Sequence, residues 1–364
     1  MTTIVIGGGV VGLSLAYGLL KQGKDVIVLD GEDDDFRASR GNFGLIWIQG
    51  KGANAPHYAM WSRRSASVWE GFAKDLFAET GVDVAYQNAG GIDYFTDEDE
   101  LETQVQSLTK LRGDLGGDYP FEILDHVGLK ARVPEIGPKV IGGIYSLMDG
   151  HVNPLYLMRA LSIAVRQAGG QVKTGARVVD VDAQDRDFTA ILADGTKITG
   201  DALVLAAGLG ATDLSKSLGF AAPIRPQQGQ ILITEKLPFF LKYPSGTLRQ
   251  VNEGGVQIGA SKAEVGFDDD EDIATSAILA QHAIDIFPHL ENVKLVRSWA
   301  ALRIMSPDGL PIYQRSPRAL GASFVTCHSG ITLAAAHACL MPDWLLERNN
   351  APDVSAFSES RFHV

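Results

Sequence analysis

The stretch IVIGGGVVGLSLAYGLLKQGKDVIVLD, residues 4–30, decides the fold of this chain. Its apolar start, Ile4–Ile6, predicts a strand, and the periodic apolar run after the glycines predicts a helix. A second apolar strand, Val26–Leu29, ends in Asp30. A strand, a glycine-rich turn, a helix and a second strand in this order are typical of a βαβ unit in a parallel sheet.

The turn between the first strand and the helix has the residues of a phosphate-binding loop. Three glycines stand at Gly-x-Gly-x-x-Gly spacing and two valines begin the helix: Gly7, Gly9, Gly12, Val10 and Val11. The first glycine permits the tight turn, the second lets the backbone approach a pyrophosphate, and the third lets the helix pack on its strand. The phosphates would lie on N–H groups at the helix N-terminus, and Asp30 would accept hydrogen bonds from ribose hydroxyls. The stretch therefore predicts a dinucleotide site.

Length and composition favour a globular protein that binds a small ligand. The 364 residues are enough for two domains with a large core, and 45% hydrophobic with 21% charged residues is ordinary for such a protein. The formal net charge of -12 argues against a nucleic-acid surface, because phosphate binding needs clustered lysines and arginines.

The cysteines and the start of the chain predict the compartment. Cys327 and Cys339 are too few for a disulfide framework and lack metal-ligand spacing, which predicts a reducing compartment and no metal site. The first strand begins by Ile4, which leaves no room for a signal peptide, and no stretch of about 18 apolar residues could span a bilayer. We therefore expect a cytoplasmic protein.

Periodicity and turn residues divide the rest of the chain into further elements. Helices are predicted at Ala59–Thr80, Glu98–Leu115, Leu155–Ala168, Ile273–Phe287 and Gly330–Leu346. Strands are predicted at Val82–Thr96 around the turn Gly90-Gly91, at Val172–Ala183, in a hairpin that turns at Asp194-Gly195, and at Leu203–Ala207, Ile231–Thr234, Gly246–Asn252, Val256–Ala260, Val296–Leu302 and Ser323–Cys327. A loop is predicted at Asp34–Gly52 and irregular structure at Pro120–Gly143.

This order of elements predicts an α/β fold (α+β overall) of two interleaved domains. A Rossmann-like domain would be built from residues 1–81, 145–220 and 307–364. A mostly antiparallel, substrate-binding domain would be inserted twice, as residues 82–144 and 221–306.

Six segments, in the same order along the chain, resemble the flavin-dependent D-amino-acid oxidase superfamily, which includes glycine oxidase, sarcosine oxidase and related amine dehydrogenases. They are GGGVVG with Asp30, DGHVNP (149–154), LVLAAG (203–208), PIRPQQGQIL (223–232), WAALRIMSPDGLPI (299–312) and CHSGITLAAAHA (327–338). The resemblance implies FAD rather than NAD, with the flavin ring between the two domains. Some sarcosine oxidase relatives attach the flavin through a cysteine near the position of Met305, and this chain has none there, so we expect non-covalent FAD.

Two further segments are expected beside the flavin. Ala206, Ala207 and Gly208 close an apolar strand with small residues, which suits close backbone approach, although a strand-end glycine can also be a simple turn. The predicted start of the last helix offers N–H groups that can stabilise negative charge on the reduced flavin. Its residues are Ser329, Gly330, Ile331 and Thr332.

The loop and one strand carry cofactor assignments with open alternatives. The loop residues assigned to the FAD site are Ser39, Arg40, Gly41, Asn42 and Gly44. Arg40 and Asn42 are placed to approach the flavin ring or the phosphates, or the loop simply turns with freedom from its two glycines. By resemblance Val178 lies over the adenine side, and the alternative is an ordinary core residue.

Arg303 and His328 are the candidate catalytic residues. An arginine fork matches a carboxylate in bidentate geometry, and by resemblance Arg303 occupies the carboxylate-binding position of the family. The alternative is a surface or salt-bridge arginine before a Pro-Asp-Gly turn. His328 could be a catalytic base, or a positioned hydrogen-bonding group between a strand and a helix.

Within the superfamily, the shortened His328-Ser329-Gly330 turn and the segment SRGNFGLIWIQGKG are most similar to the FAD-carrying subunits of heteromeric opine oxidases, D-hydroxyproline dehydrogenases and hydrogen cyanide synthase. The resemblance implies an amino-acid-type secondary or primary amine as substrate, hydride transfer to flavin N5, and partners that include a second flavoprotein and small iron-sulfur subunits. The alternatives are a self-contained glycine, D-amino-acid or sarcosine oxidase that uses O2, and a non-catalytic flavin-binding assembly subunit.

Overall fold

The structure is a computed structural model that describes residues 1–31 and 38–362. Its helices are α1 (Val10–Lys21), α2 (Pro56–Thr80), α3 (Glu98–Asp114), α4 (His126–Arg132), α5 (Pro154–Gln167), α6 (Ala211–Ser215), α7 (Ile273–Ile286), α8 (Gly330–Cys339) and α9 (Met341–Leu345). Its strands are β1 (Thr2–Ile6), β2 (Asp25–Leu29), β3 (Leu45–Ile46), β4 (Gly91–Phe95), β5 (Glu122–Asp125), β6 (Gly142–Ser146), β7 (Gly150–His151), β8 (Gln171–Lys173), β9 (Val178–Gln184), β10 (Asp187–Leu192), β11 (Lys197–Gly200), β12 (Ala202–Leu205), β13 (Arg225–Lys236), β14 (Leu248–Gln250), β15 (Gly255–Ile258), β16 (Leu295–Met305), β17 (Ile312–Arg315) and β18 (Ala322–Thr326).

The sheet that contains the glycine-rich turn has six strands in the order β17-β18-β12-β1-β2-β8. All neighbours pair in parallel except β17 and β18, which are antiparallel. The strands next to β1 are apolar on both faces because α1, α5 and α8 cover one side and a small sheet, β11-β10-β9, lies on the other. This confirms the predicted Rossmann-like α/β architecture.

The remaining large sheets are antiparallel. The order β14-β15-β13-β16 forms one of them and β4-β6-β5 forms another. The two sheets share one apolar core with α7, in which Ile92 and Leu129 of the earlier segment meet Leu232, Leu248 and Phe287 of the later one. The mostly antiparallel character of this part is therefore confirmed, while the domain boundaries stay a prediction.

Local sequence explains where several helices begin and end. Asp97 accepts a hydrogen bond from the N–H of Glu100 at the start of α3, and Asn153 caps α5 ahead of a proline at its first position. Gly81 ends α2 in the left-handed conformation, at φ 70°. The Asp194-Gly195 turn joins β10 to β11, as predicted, with Gly195 at φ 83°.

Two predicted segments are corrected by the structure. Pro120–Gly143 is not irregular, because it contains β5 and α4. Each of these elements buries a single apolar side chain, Leu124 or Leu129, so neither produces a periodic signal. Val82–Thr96 is a strand only from Gly91 onward, with one isolated bridge earlier, at Gln87. The first residues of the predicted loop, up to residue 37, lie outside the described residues.

Among residues 1–31 and 38–362, no helix is both long enough and apolar enough to cross a bilayer.

Candidate functional site

A cavity of about 540 Å³ lies at the carboxyl ends of β1, β2, β12 and β18. This is the edge of a parallel sheet at which nucleotides bind. Eleven of the residues assigned to the cofactor from sequence line it: Gly7, Gly9, Val10, Val11, Asp30, Ser39, Arg40, Val178, Ala206, Ala207 and Gly208. Residues from separate segments of the chain therefore form one continuous wall.

The glycines of the first turn are required by close backbone contacts. A Cβ atom on Gly7, at φ 110°, would lie 2.4 Å from the carbonyl oxygen of Ala206, at the end of the neighbouring strand. A Cβ atom on Gly12 would lie 1.9 Å from the carbonyl oxygen of Gly7. Gly12 therefore does not line the cavity but lets α1 pack on the turn, as its place in the motif predicts.

The N-terminus of α1 offers N–H groups to the cavity. The N–H of Val10 donates to Ser39 Oγ at 3.0 Å, and the N–H of Gly8 donates to Asp30 Oδ1 at 3.1 Å. The N–H groups of Val11 and Gly12 form no hydrogen bond with any residue that the structure describes. Free donors at a helix N-terminus beside a glycine turn fit the pyrophosphate of a dinucleotide.

The start of α8 lies against the start of α1. A Cβ atom on Gly330 would lie 2.8 Å from Val10 Cγ1, so only glycine permits this approach. The N–H groups of Gly330, Ile331 and Thr332 have no hydrogen-bond partner within the described parts of the chain. The Thr332 hydroxyl has a structural role, because it accepts from the N–H of Trp47 at 3.2 Å. Two helix N-termini therefore point their free donors toward the same region.

The loop before α2 packs on the antiparallel sheet. A Cβ atom on Gly41 would lie 2.4 Å from Ala301 Cβ, and Trp299 Nε1 donates to the Gly41 carbonyl at 3.2 Å. The Asn42 side chain accepts from the N–H of Gly44 at 2.8 Å, and Gly44 has φ 92°. Asn42 and Gly44 thus serve the turn of the loop itself, whereas Arg40 lines the cavity. Contact of Gly41, Asn42 or Gly44 with the cofactor stays a prediction.

Val178 belongs both to the cavity wall and to the core, and its contact with the adenine side of the cofactor stays a prediction. It lines the cavity, and it also packs in the core between the six-stranded sheet and β9–β11. The cavity and the core are adjacent at this position, so one valine side chain can contact both. The strand-end residue Gly208 turns the chain at φ 56°, and a Cβ atom on it would lie 3.6 Å from the Ile304 side chain of β16.

Arg303 lies on β16, one position before the cavity-lining residue Ile304, and is not itself among the residues that line the cavity. Its Nη1 donates to the carbonyl of Gln228 at 3.1 Å, and its guanidinium lies over Gly229, where a Cβ atom would come within 2.4 Å of Nη2. Burial lowers the pKa of Arg303, and no carboxylate pairs with it within the described residues. A desolvated guanidinium with spare donors is suited to bind a carboxylate.

His328 immediately precedes Ser329, the N-cap residue of α8. Its Nδ1 lies 3.1 Å from Ser329 Oγ. Burial, followed by the charges of Lys51, Arg303 and Lys262, lowers the pKa of His328 to about 3. The imidazole is therefore neutral near pH 7, which suits a hydrogen-bonding group in a site for an anion.

Sequence reasoning missed two residues of this region, Lys51 and Tyr58. Both donate to Ser329 Oγ, Lys51 Nζ at 2.7 Å and Tyr58 OH at 2.9 Å. Burial lowers the pKa of Lys51 to about 8 and raises that of Tyr58 above its ordinary value. The sequence signal for Lys51 was its place between two glycines, Gly50 and Gly52, in the loop assigned to the FAD site. In the structure both glycines have positive φ.

Cys327 lines the cavity next to His328 but is not activated. Burial raises the pKa of its thiol to about 12, so the thiolate is scarce at neutral pH. Cys327 is therefore a buried thiol directly after β18 and not an activated nucleophile.

Asp149, in the DGHVNP segment, supports the loop that carries Lys51. It is fully buried and accepts from the N–H groups of Ile48 at 2.5 Å and Gln49 at 3.1 Å. Burial raises the pKa of Asp149 to about 7, although these hydrogen bonds act in the opposite direction. The loop is therefore anchored by a carboxyl group that titrates near neutral pH.

Asp149→Asn is expected to flatten the pH dependence of stability. The folded-state pKa of about 7 is above the ordinary 3.8, so the stability associated with the protonated form is present below pH 3.8 and is lost as pH rises through 7. Between these two pH values, Asp149 should make the unfolding free energy of the parent protein fall by about 1 kcal/mol per pH unit. Asp149→Asn should lack this contribution to the slope. Urea unfolding at several pH values measures it, with the exposed Asp182→Asn as control. An equal slope in the variant and the parent protein would contradict the assignment.

Comparison with known proteins gives consistent matches over almost the whole chain. The sequence profile of the FAD-dependent oxidoreductases matches residues 2–344. An opine oxidase subunit from Rhizobium meliloti is 40% identical over 359 residues, covering 98% of this chain and 96% of that protein. Hydrogen cyanide synthase subunit HcnC of Pseudomonas aeruginosa is 26% identical over 401 residues, covering 99% and 95%. The crystal structure of glycine oxidase from Geobacillus kaustophilus superposes with a TM-score of 0.91 at 23% identity, covering 99% and 98%.

Proposed function

The chain belongs to the family of FAD-dependent oxidoreductases, and from this premise we propose that it oxidises an amino-acid-type amine as the catalytic subunit of a heteromeric dehydrogenase. The substrate class is a secondary or primary amine with a carboxylate on the carbon that is oxidised, of the opine or D-hydroxyproline type. The relatives named as subunits of opine oxidase and hydrogen cyanide synthase support this proposal.

The cavity has the features that FAD requires. The turn of Gly7 and Gly9 with the free N–H of Val11 would hold the pyrophosphate, and Asp30 would hold the ribose of the adenosine half. The N–H groups at the start of α8 would face the pyrimidine end of the flavin. When bound, FAD supplies the electron acceptor, and we expect it to receive the hydrogen of the substrate α-carbon as a hydride at N5.

One observation carries the assignment of substrate class. Arg303 is desolvated, has no acidic partner among the described residues, and extends from the strand that borders the cavity. Removing a guanidinium from water without a counter-charge costs free energy, and an anion bound to it offsets that cost. A substrate carboxylate bound to its fork would fix the α-carbon in one orientation.

The neutral His328 would orient the substrate without competing for its carboxylate. Because its pKa is near 3, the imidazole stays uncharged when Arg303 and Lys51 are protonated. It can accept one hydrogen bond from the substrate nitrogen or donate one to it. The substrate loses its α-hydrogen from the carbon next to this nitrogen when the nitrogen is neutral. The role of His328 is therefore positioning.

Partner subunits follow from the proposed heteromer. We expect a second flavoprotein and small iron-sulfur subunits to take the electrons away from this chain. A self-contained glycine, D-amino-acid or sarcosine oxidase is the alternative, since a glycine oxidase of Pseudomonas putida is 27% identical over 362 residues.

Anaerobic reduction of the purified FAD-loaded chain tests these alternatives. An N-carboxyalkyl amino acid should bleach the flavin absorbance near 450 nm, and the reduced form should recover only slowly in air without partner subunits. Fast recovery in air would favour the oxidase. An absence of bleaching with every opine, imino acid and amino acid tried would overturn the proposed function and leave an assembly role.

A further inference from the structure

The loop between β15 and α7, residues 259–272, brings an aromatic side chain to the cavity at the carboxyl ends of the parallel strands. Phe267 lines this cavity, although its loop belongs to the antiparallel sheet β14-β15-β13-β16. Of the described residues that line the cavity, only Phe267 and Ile304 come from the part of the chain that builds this sheet. The antiparallel sheet therefore reaches the FAD cavity through these two side chains.

A turn at Gly266 sets the direction of Phe267. Gly266 has φ 70°, in the left-handed region that favours glycine, and a Cβ atom on it would meet nothing within 4 Å. The glycine is therefore needed for backbone conformation and not for space. The Phe267 side chain is 55% exposed although it borders the cavity. A ligand that fills the cavity can therefore cover apolar surface of this ring.

Gln228 of β13 fastens the loop on both sides of Phe267. Its Nε2 donates to the carbonyl of Asp268 at 2.9 Å and to the carbonyl of Asp270 at 3.0 Å. Its backbone pairs with that of Ala263, where the two N–H to carbonyl distances are 3.0 and 3.1 Å. Because Gln228 is buried, water competes little for these hydrogen bonds. The position of Phe267 is therefore set from a strand of the sheet.

Gln230, two positions further along β13, fixes the end of the same loop. Its Nε2 donates to the carbonyl of Asp272 at 3.1 Å and to Ser276 Oγ at 2.5 Å, and its Oε1 accepts from the N–H of Asp272 at 2.9 Å. The Gln230 side chain is fully buried. The loop is thus held by two side chains of one strand, so little further ordering is needed when a ligand contacts Phe267.

We propose that Phe267 packs against bound FAD and that Gln228 is the residue that positions it. FAD has two planar ring systems, the flavin and the adenine, and an aromatic side chain can pack on either of them. The inference goes beyond the proposed function, because it concerns how the cofactor is retained and assumes nothing about the substrate.

The alternative for a half-exposed phenylalanine is a contact with another protein. Val265, two positions before Phe267, is 46% exposed and is not among the residues that line the cavity. A contact with FAD would involve Phe267 alone, whereas a protein that covers the loop would contact both apolar side chains. The position of Phe267 in the cavity wall favours the cofactor, and Val265 supplies the control.

Binding of FAD to apoprotein made from the full chain tests the proposal without any substrate. Quenching of flavin fluorescence gives the dissociation constant and the dissociation rate of FAD. We expect Phe267→Ala to raise the dissociation constant by about tenfold or more, mainly through faster dissociation, because the contact of the ring is lost. Phe267→Tyr should stay within about threefold of the parent value, since it retains an aromatic ring.

Val265→Ala is the matched control, and its dissociation constant for FAD should stay within about twofold of the parent value. The thermal unfolding midpoint of the Phe267→Ala apoprotein should also equal that of the parent, because the ring is more than half exposed.

The positioning role of Gln228 has a separate test. Gln228→Glu keeps the size of the side chain but removes the two N–H donors to the loop carbonyls, so it should weaken FAD binding in the same direction as Phe267→Ala. Gln228→Met also lacks these donors and gives a second measurement. If Gln228 acts through Phe267, the double variant of Gln228→Glu and Phe267→Ala should bind FAD no more weakly than the weaker single variant.

An FAD dissociation constant of Phe267→Ala within about twofold of the parent value would overturn the proposal. So would equal weakening by Val265→Ala, or a lower unfolding midpoint of the Phe267→Ala apoprotein, because the residue would then serve the loop and not the cofactor. Additive losses in the double variant would overturn the role of Gln228. All of these results leave the proposed function intact, since anaerobic bleaching by an amine tests that function independently.

Discussion

Gly12→Ala is expected to yield protein that retains no measurable FAD after purification. The added Cβ atom would lie 1.9 Å from the carbonyl oxygen of Gly7, and this oxygen belongs to backbone, which cannot rotate away. Either α1 separates from β1 or the turn is displaced, and both changes move the N–H groups of Val11 and its neighbours. We expect a loss of stability of about 1–3 kcal/mol or more from overpacking. Flavin absorbance per protein and thermal unfolding measure the two effects.

Gly71→Ala is the matched control for this substitution. Gly71 also lies inside a helix, α2, but a Cβ atom there would meet nothing within 4 Å. Alanine should therefore stabilise the chain by about 0.5–1 kcal/mol and leave FAD content unchanged. If Gly12→Ala retained full FAD content, the close packing of helix and turn would not be essential for the cofactor site.

The first turn shows why much of the fold was predictable from sequence. Gly7 and Gly12 are each required by a close backbone contact, and a Cβ atom on Gly9 would lie 3.2 Å from Ser39 Oγ, so a short motif specifies most of the turn. The strand β12 was predictable for a different reason, because a short, wholly apolar run such as Leu203–Leu205 is typical of a strand buried on both faces of a parallel sheet.

Elements with little burial left no comparable signal. β5 and α4 each depend on one buried leucine and on the core formed with α7. Helix α4 ends at residue 132 and α7 begins at residue 273, so more than 130 residues separate them in sequence. Their formation is decided by tertiary contacts and not by local periodicity. The segment they occupy was therefore predicted to be irregular.

The candidate site was predictable where a motif defined it and not where folding assembled it. Arg303 was identified by its place in WAALRIMSPDGLPI, and the structure gives it a carbonyl partner and no acid among the described residues. Lys51 is about 250 residues away from it in sequence, and only the folded chain brings the Lys51 ammonium to Ser329 Oγ, which lies 3.1 Å from His328 Nδ1. A partly buried lysine cannot be distinguished from a surface lysine by residue type alone, so Lys51 was missed.

For Asn42 and Gly44, sequence reasoning did not recognise a structural role that the folded loop shows. Their position next to Arg40 in the loop favoured a cofactor role, but the Asn42 side chain is used by the N–H of Gly44. A short polar side chain that holds its own turn looks the same in sequence as one that binds a ligand. The folded loop shows the hydrogen bond from Gly44 to Asn42, and a contact of either residue with the cofactor stays a prediction.

Arg303→Lys is expected to lower kcat/KM for the amine substrate by about 10²- to 10³-fold while leaving FAD content unchanged. The lysine ammonium keeps the charge, but it cannot present two parallel N–H groups to a carboxylate or reach the Gln228 carbonyl at the same time. The substrate would be held less tightly and with its α-carbon in more than one orientation, so both KM and the rate of anaerobic flavin reduction should change.

The control for this prediction is on the same strand. Arg297 is exposed on β16, six positions before Arg303, so Arg297→Lys should leave kcat/KM within about twofold of the parent value. Stopped-flow reduction by substrate, with flavin absorbance as the signal, measures both variants and separates binding from the reductive step. Because Arg303 has no acidic partner within the described chain, its replacement should cost little stability. Equal kinetics for the two variants would mean that the guanidinium does not contact the substrate.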